Sequence, residues 1–379
     1  MKPLPAFALE QHFAQWEFRA RHHLTASDGE SMSVAELLAL GGDGAQERLL
    51  QMSLGYVPTW GTQALREAVA ARYRRVEPED VLTFAGAEEA IFWALQMLLG
   101  PGDHALVTVP NYQSLEAVPV ATGAEVTGLP LWTGAGAELR WSLDVDRIRA
   151  ALRPNTRVLA VNFPNNPTGF VPDQASWAAL GALCDERGIS LDVTSKSLGL
   201  PGLRVGWLAC RDRSLLARLE RAKHWTSICN AGPSELLATI AVQHADQLRA
   251  RIKAVIAQST ELLAGFFAEH GGLFDWAPPD GGCVAFPRYL GPEGPEGVET
   301  FCTELVEQRG VLLLPASLFR SQLAEVPRDR FRIGLGRLGV GAALAQVAEH
   351  LAARQRETTL AGGAHRRDSP RQSHRPRPR

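Results

Sequence analysis

SKSLGLPGLRVGW, residues 195–207, sets one lysine between an apolar stretch and a glycine-punctuated loop that leads to an arginine and a second apolar stretch. ISLDV (189–193) before it and RVGWLAC (204–210) at its end both read as short buried strands. A lysine at such a strand end, partly desolvated and beside another cation, has its pKa drawn toward neutrality. It then becomes an amine that condenses with carbonyls. An ordinary surface lysine in a loop is the other reading of the same residues.

Toward the N terminus, VLTF (81–84), ALVTV (105–109) and VLAVNF (158–163) read as further strands, with helix-period segments between them. AEEAIFWALQMLLG forms the helix after Gly86, and Gln174 to Arg187 is amphipathic, with Trp177, Leu180 and Cys184 on one face and Gly188 as its stop. This alternation predicts an α/β domain built on a mostly parallel sheet. Toward the C terminus one long helical stretch runs from Pro233 to about His270. CVAFPRYL, GVLLLPAS and FRIGLGR then form short strands around a helix (Val298 to Glu307), before a last amphipathic helix marked by Leu344, Val347 and Leu351. These predict a smaller α+β domain. The expected organisation is an arm over 1–45 packing on the smaller domain, a large domain over 46–275, a small domain over 276–356 and a solvated Arg/Pro-rich tail over 357–379.

The 379 residues, 45% hydrophobic and 21% charged, have the composition of a globular protein with a sizeable core. Five cysteines stand without a CxxC pair, so neither a metal site nor a disulfide framework is expected. No apolar run approaches the roughly 20 residues of a membrane span, and MKPLPAFALEQHF lacks the basic end and apolar stretch of a signal peptide. The expected location is the cytoplasm. The net charge is -2, yet residues 365–379 carry six Arg against one Asp, which leaves -7 elsewhere. A mildly acidic body argues against nucleic acid as the main partner.

A second signal, NFPNNPTGF (162–170), follows a buried strand and puts Asn166 at the carboxyl edge of the sheet, where open α/β sheets bind ligands. An Asn-Pro turn is its plain alternative. Ala85-Gly86-Ala87-Glu88 lies where a strand meets a helix N-terminus, whose free N–H groups and dipole suit a phosphate.

Together these segments resemble the class I/II aminotransferases of fold-type I, over nearly the whole chain to about residue 355. The resemblance implies a pyridoxal 5'-phosphate enzyme that exchanges an amino group between an amino acid and a 2-oxo acid. It implies that Lys196 holds the cofactor as a Schiff base and shuttles the α-proton, that Arg204 pairs with the phosphate, and that Asn166 bonds the ring's phenolic oxygen. Gly86, Ala87 and Glu88 match the phosphate cradle, and Tyr112 in VPNYQ matches the aromatic residue that stacks on the ring. Tyr56 in LGYVPTW matches a tyrosine that reaches the neighbouring subunit's phosphate, implying a homodimer with shared sites. Arg332 in FRIGLGR matches the arginine that binds the substrate α-carboxylate, a task suited to a guanidinium fork. Gly29, within TASDG, lies where relatives close over the substrate.

One part of the pattern is missing. Relatives carry an Asp that pairs with the protonated pyridine nitrogen, then a Tyr and a crossover, and only afterwards the strand leading to the lysine. Here ISLDVTSK runs straight through, and a strand-crossover-strand unit of roughly 30 residues is absent. One strand is therefore lost or fused with its neighbour. Asp192 reads either as a residue of the lysine-bearing strand or as a substitute for the lost Asp; in an extended strand it would stand about 13 Å from Lys196, on the same face. Three functions stay open: transamination, cyclisation or replacement on an arginine-like amino acid as in the capreomycidine synthase branch, and a cofactor-binding chain that no longer turns over.

Overall fold

β1 (Val81–Phe84) leads into α1 (Ala87–Leu98), followed by β2 (His104–Val109), β3 (Glu125–Pro130), β4 (Thr156–Ala160), α2 (Gln174–Leu183), β5 (Ser190–Val193), β6 (Gly206–Ala209) and α3 (Arg213–Lys223). These strands form two three-stranded sheets. β2 pairs in parallel with β3 and β4, whereas β6 pairs antiparallel with β1 and β5. The computed structural model describes residues 2–184 and 188–365, apart from the side chains of Pro295 and 357–365.

The division falls where a crossover was expected to be missing. Among the described residues β4 pairs only with β2, and β5 only with β6. Burial follows from that pairing. All six residues of β2, flanked on both edges, are buried, while β4 is buried only at Ala160 and β5 only at Val193. One helix serves both halves. Ala90 and Ala94 of α1 pack with Leu82, Phe84 and Leu208 of the antiparallel sheet, and Leu95 packs with Ala105 and Val158 of the parallel one.

Helix α2 starts at an Asp173 cap, whose carboxylate accepts the Ser176 N–H, and ends at Leu183. The remainder of the helix expected to Arg187 reaches residues 185–187, outside the described residues. The long helix expected from Pro233 is two, α4 (Gly232–Gln243) and α5 (Ala245–Glu269), because His244 leaves helical geometry at φ -104, ψ 24. α4 and the helix Gln63–Ala70 cover the second face of the antiparallel sheet, where Leu65, Val69, Leu237 and Ile240 pack on Val205 and Trp207.

The smaller domain contains β7 (Val284–Ala285), α6 (Gly294–Arg309), β8 (Leu314–Pro315), β9 (Phe331–Gly334) and α7 (Val340–His365). β9 is central, antiparallel to both β7 and β8. Its aromatic core includes Phe274, Phe301 and Phe331, with the Tyr289 and Phe301 rings stacked at 5.2 Å. The N-terminal stretch is divided between the domains rather than packed on the small one alone. His22–His23 adds a strand parallel to Val311–Leu312, whereas Leu37 and Ala45 join the core under α4. Helix α7 runs on to His365, into the stretch expected as a tail, with no proline before Pro370 to interrupt it. Residues 366–379 lie outside the described residues. No helix among the described residues is long and apolar enough to cross a membrane.

Candidate active site

β5 ends at Val193, and the chain turns at once: Leu200 N–H donates to Thr194 O and Gly199 N–H to Lys196 O. Lys196 therefore sits on a turn and not on a strand, so the same-face relation to Asp192 expected from an extended segment does not hold. The Lys196 ammonium donates to Ser27 Oγ at 2.8 Å. The residue is exposed to solvent, yet enough protein surrounds its amine to desolvate it. Desolvation lowers its pKa, and the neighbouring Arg332 lowers it further; Asp28, Cys283 and Glu10 oppose this weakly.

Arg332 comes from β9 in the smaller domain and is 1% exposed. Its guanidinium donates to Asn166 Oδ1 at 2.8 Å and to Thr25 O at 2.6 Å, and lies 5.4 Å from the Phe319 ring centroid. Nε has no hydrogen-bond partner, and no carboxylate lies within ion-pair distance among the described residues. Burial pushes its pKa down to about 10. A buried guanidinium with a spare donor and no counter-ion is prepared for an incoming anion. Asp28 is the leading charge opposing this shift, yet it makes no ion pair with Arg332, because its carboxylate is held at both oxygens by Arg337, at 3.0 and 2.7 Å.

A second cluster surrounds Gly86. With φ 94, Gly86 opens α1, whose first N–H groups have no acceptor within the helix. A Cβ on Gly86 would stand 2.6 Å from Arg204 Nη2, and one on Gly206 would stand 2.9 Å from Ala87 N. Both glycines let a guanidinium and bare backbone converge on one turn. Arg204 itself holds a left-handed conformation, φ 52. The Glu88 side chain leans to Ser114, which donates to it at 3.0 Å, and burial raises its pKa. Tyr112 links the two clusters. Its phenol, pushed up by burial, responds to Glu88, Arg204 and Arg332, and its ring packs 5.3 Å from Phe7 of the N-terminal segment.

Lys196, Arg332, Asn166, Tyr112, Glu88, Gly86, Ala87 and Arg204 are thus gathered, and three expected residues are not. Asp192 faces away, into a cavity of about 220 Å³ lined by Arg72, Tyr73, Trp207 and Arg249. One of its oxygens accepts the N–H of Val193. Tyr56 is 92% exposed. Gly29 packs against α5, where a Cβ would stand 2.6 Å from Ile252. Sequence reading gave Thr25 and Ser27 only as members of the run 25–29 expected to close over the substrate, and it missed Arg337 although FRIGLGR contained it. Cys283, near enough to Lys196 for each to affect the other's charge, has its thiol raised to about 11 by burial and offered no sequence signal at all. Among the described residues no group of His, Cys, Asp and Glu is arranged to hold a metal ion.

The sequence profile described as "Aminotransferase class I and II" matches residues 43–193 and 189–351. The chain belongs to that family. The two matched pieces overlap in ISLDV, so this one segment stands both where the first piece ends and where the second begins. Capreomycidine synthase from Streptomyces vinaceus is 30% identical over 94% of this chain and 97% of its own. Arginine–pyruvate transaminase from Pseudomonas aeruginosa is 28% identical, covering 77% and 80%. Among solved structures, a PLP-dependent aminotransferase from Streptococcus suis superposes with a TM-score of 0.82 at 25% identity, covering 93% and 98%. The PLP-dependent cyclase OrfR superposes equally well, at 28% identity over 93% and 99%.

The cofactor of this aminotransferase-family chain is pyridoxal phosphate. The residues present fit it: a turn of bare backbone and guanidinium for a dianion, a partly desolvated amine for an aldehyde, and the Tyr112 aromatic ring, whose phenol responds to charges of both clusters.

Proposed function

We propose that the chain is a pyridoxal-phosphate-dependent aminotransferase that moves an amino group from an L-amino acid to a 2-oxo acid. The observation that carries this reading is Arg332: buried, without a counter-ion, and close enough to Lys196 to lower its pKa. Such a pair suits a substrate carrying a carboxylate and an amine on one carbon. In this reading Arg332 binds the α-carboxylate, and Lys196 binds the cofactor and moves the α-proton through its Nζ. Gly86, Ala87, Glu88 and Arg204 hold the phosphate, Tyr112 covers the ring and excludes water, and Asn166 orients both the ring oxygen and Arg332. Bound pyridoxal phosphate supplies an electron sink for the bond cleaved at the α-carbon.

Tyr56, exposed in one chain, would reach a second copy, making a homodimer with shared sites in the cytoplasm. Gly29 keeps its neighbours Ser27 and Asp28 against the substrate space. Asp192 is not assigned to the ring nitrogen.

A second reading is favoured by the likeness to capreomycidine synthase over 94% of the chain: cyclisation or replacement on an arginine-like amino acid. Incubating the loaded protein with a panel of amino acids separates the two. Transamination leaves the cofactor in its amine form and releases a 2-oxo acid; cyclisation returns the starting spectrum with a modified amino acid. Failure of every amino acid to change the spectrum would count against both.

A further inference from the structure

β1 is the outer strand of its sheet, with β6 on one edge only. Side chains and a loop segment serve its other edge. Thr83 N–H donates to Trp60 O at 3.2 Å, Thr83 O accepts from Lys223 Nζ at 2.8 Å, and Phe84 O accepts from Asn230 Nδ2 at 3.0 Å. Lys223, the last residue of α3, is 0% exposed and donates also to Thr59 O at 2.7 Å and Asn230 Oδ1 at 3.3 Å. All three of its protons are used. Glu235, also 0% exposed, accepts from Thr62 N–H at 2.7 Å and from the Thr83 hydroxyl at 3.2 Å.

The next residues along the chain are Ala85, Gly86 and Ala87. Ala85 N–H donates to Glu89 Oε2 at 2.7 Å, and Glu89 accepts in turn from Ser227 N–H at 3.2 Å and Ser227 Oγ at 3.0 Å. The segment from Lys223 to Glu235 therefore grips this turn on both sides. A buried ammonium is costly to desolvate and is outdone in packing by any apolar side chain of its size, unless its directional bonds are needed. Here two of the three bonds end on the backbone of β1 and of the loop carrying Tyr56. The clearances around Gly86 and Gly206 leave the turn little freedom, so a small drift of β1 moves its N–H groups off target.

We infer that Lys223 is a positioning residue for the phosphate-binding turn, assisted by Asn230. This rests on the cofactor reading above and concerns how this chain holds the phosphate. The test compares pyridoxal 5'-phosphate with pyridoxal, titrated by absorbance into the parent chain, Lys223→Met and Asn230→Ala, with circular dichroism to verify folding. The ratio of the two dissociation constants isolates what the phosphate contributes. Lys223→Met is expected to shrink that ratio about tenfold while pyridoxal binding changes less than about twofold, the size of one misplaced charge-assisted hydrogen bond. Asn230→Ala keeps the ammonium and both of its backbone bonds; it should shrink the ratio about threefold and decides the matter if Lys223→Met does not fold. Parallel weakening of both ligands, or an unchanged ratio, overturns the inference. A parent that binds pyridoxal with no advantage from the phosphate also overturns it while leaving Lys196 as the anchor. A parent that binds neither aldehyde overturns the cofactor reading as well.

Discussion

Lys196 and Lys223 are both desolvated lysines, and burial is the first cause of a lowered pKa for each. They differ in what comes next. Around Lys223 the second and third influences are Glu89 and Glu235, which favour its charge, and three oxygens hold its protons. Around Lys196 the second influence is the like charge of Arg332, and one hydroxyl is its hydrogen-bond partner. Desolvation alone does not make a lysine reactive. It must also be left short of partners, beside a cation, with an open side toward a ligand.

The sharpest break of that comparison is Lys196→Met, which should abolish the lysine adduct trapped by borohydride from pyridoxal phosphate, while the denaturation midpoint stays level or rises. An adduct of equal yield on another lysine would remove the distinction. Arg332→Gln should keep the adduct but cut the amino-acid-dependent spectral change by about 100-fold, the scale of a lost bidentate charge-assisted contact. Lys223→Met should also keep the adduct, unlike Lys196→Met, but cost about 2 kcal/mol in chemical denaturation, because buried acceptors lose their donor. A smaller effect concerns pH. The folded pKa of Lys196 lies below the ordinary 10.5, so the folded state binds fewer protons in the window between the two values and stability rises with pH across it. Lys196→Met should flatten that rise, and Arg332→Gln should move the lower edge of the window upward. Smallest of all, Asp192→Asn should leave the cofactor spectrum unaltered and its affinity within about twofold, as for a group outside the site. A marked spectral shift would bring Asp192 back to the ring.

Much of the site was legible because its motifs are local. Gly86 before a helix, Asn166 before Pro167 and Arg332 in a short strand are each readable from neighbours a few residues away. Lys223 and Glu235 were not legible, because a lysine closing an amphipathic helix looks like any solvated helix end. Its partners Thr59 and Thr83 lie far away in sequence. The single helix expected from Pro233 to His270 failed for a related reason: periodicity continues across His244 although the backbone does not.

The sequence by itself determined the family, the strands on either side of the lysine and the lysine-loop-arginine unit, since these depend on residue type and spacing along the chain; it did not mark β3 (Glu125–Pro130). The family pattern also led to the expectation that a crossover unit is missing at ISLDV. Only the tertiary structure decided how the strands are arranged there: the sheet divides between β4 and β5, and α1 spans the two halves. It decided too that Asp192 turns into the cavity beside Arg72 and Trp207, while Lys196 bonds Ser27 near Arg332. Strand alternation carries direction only as far as the strand continues, and β5 stops at Val193.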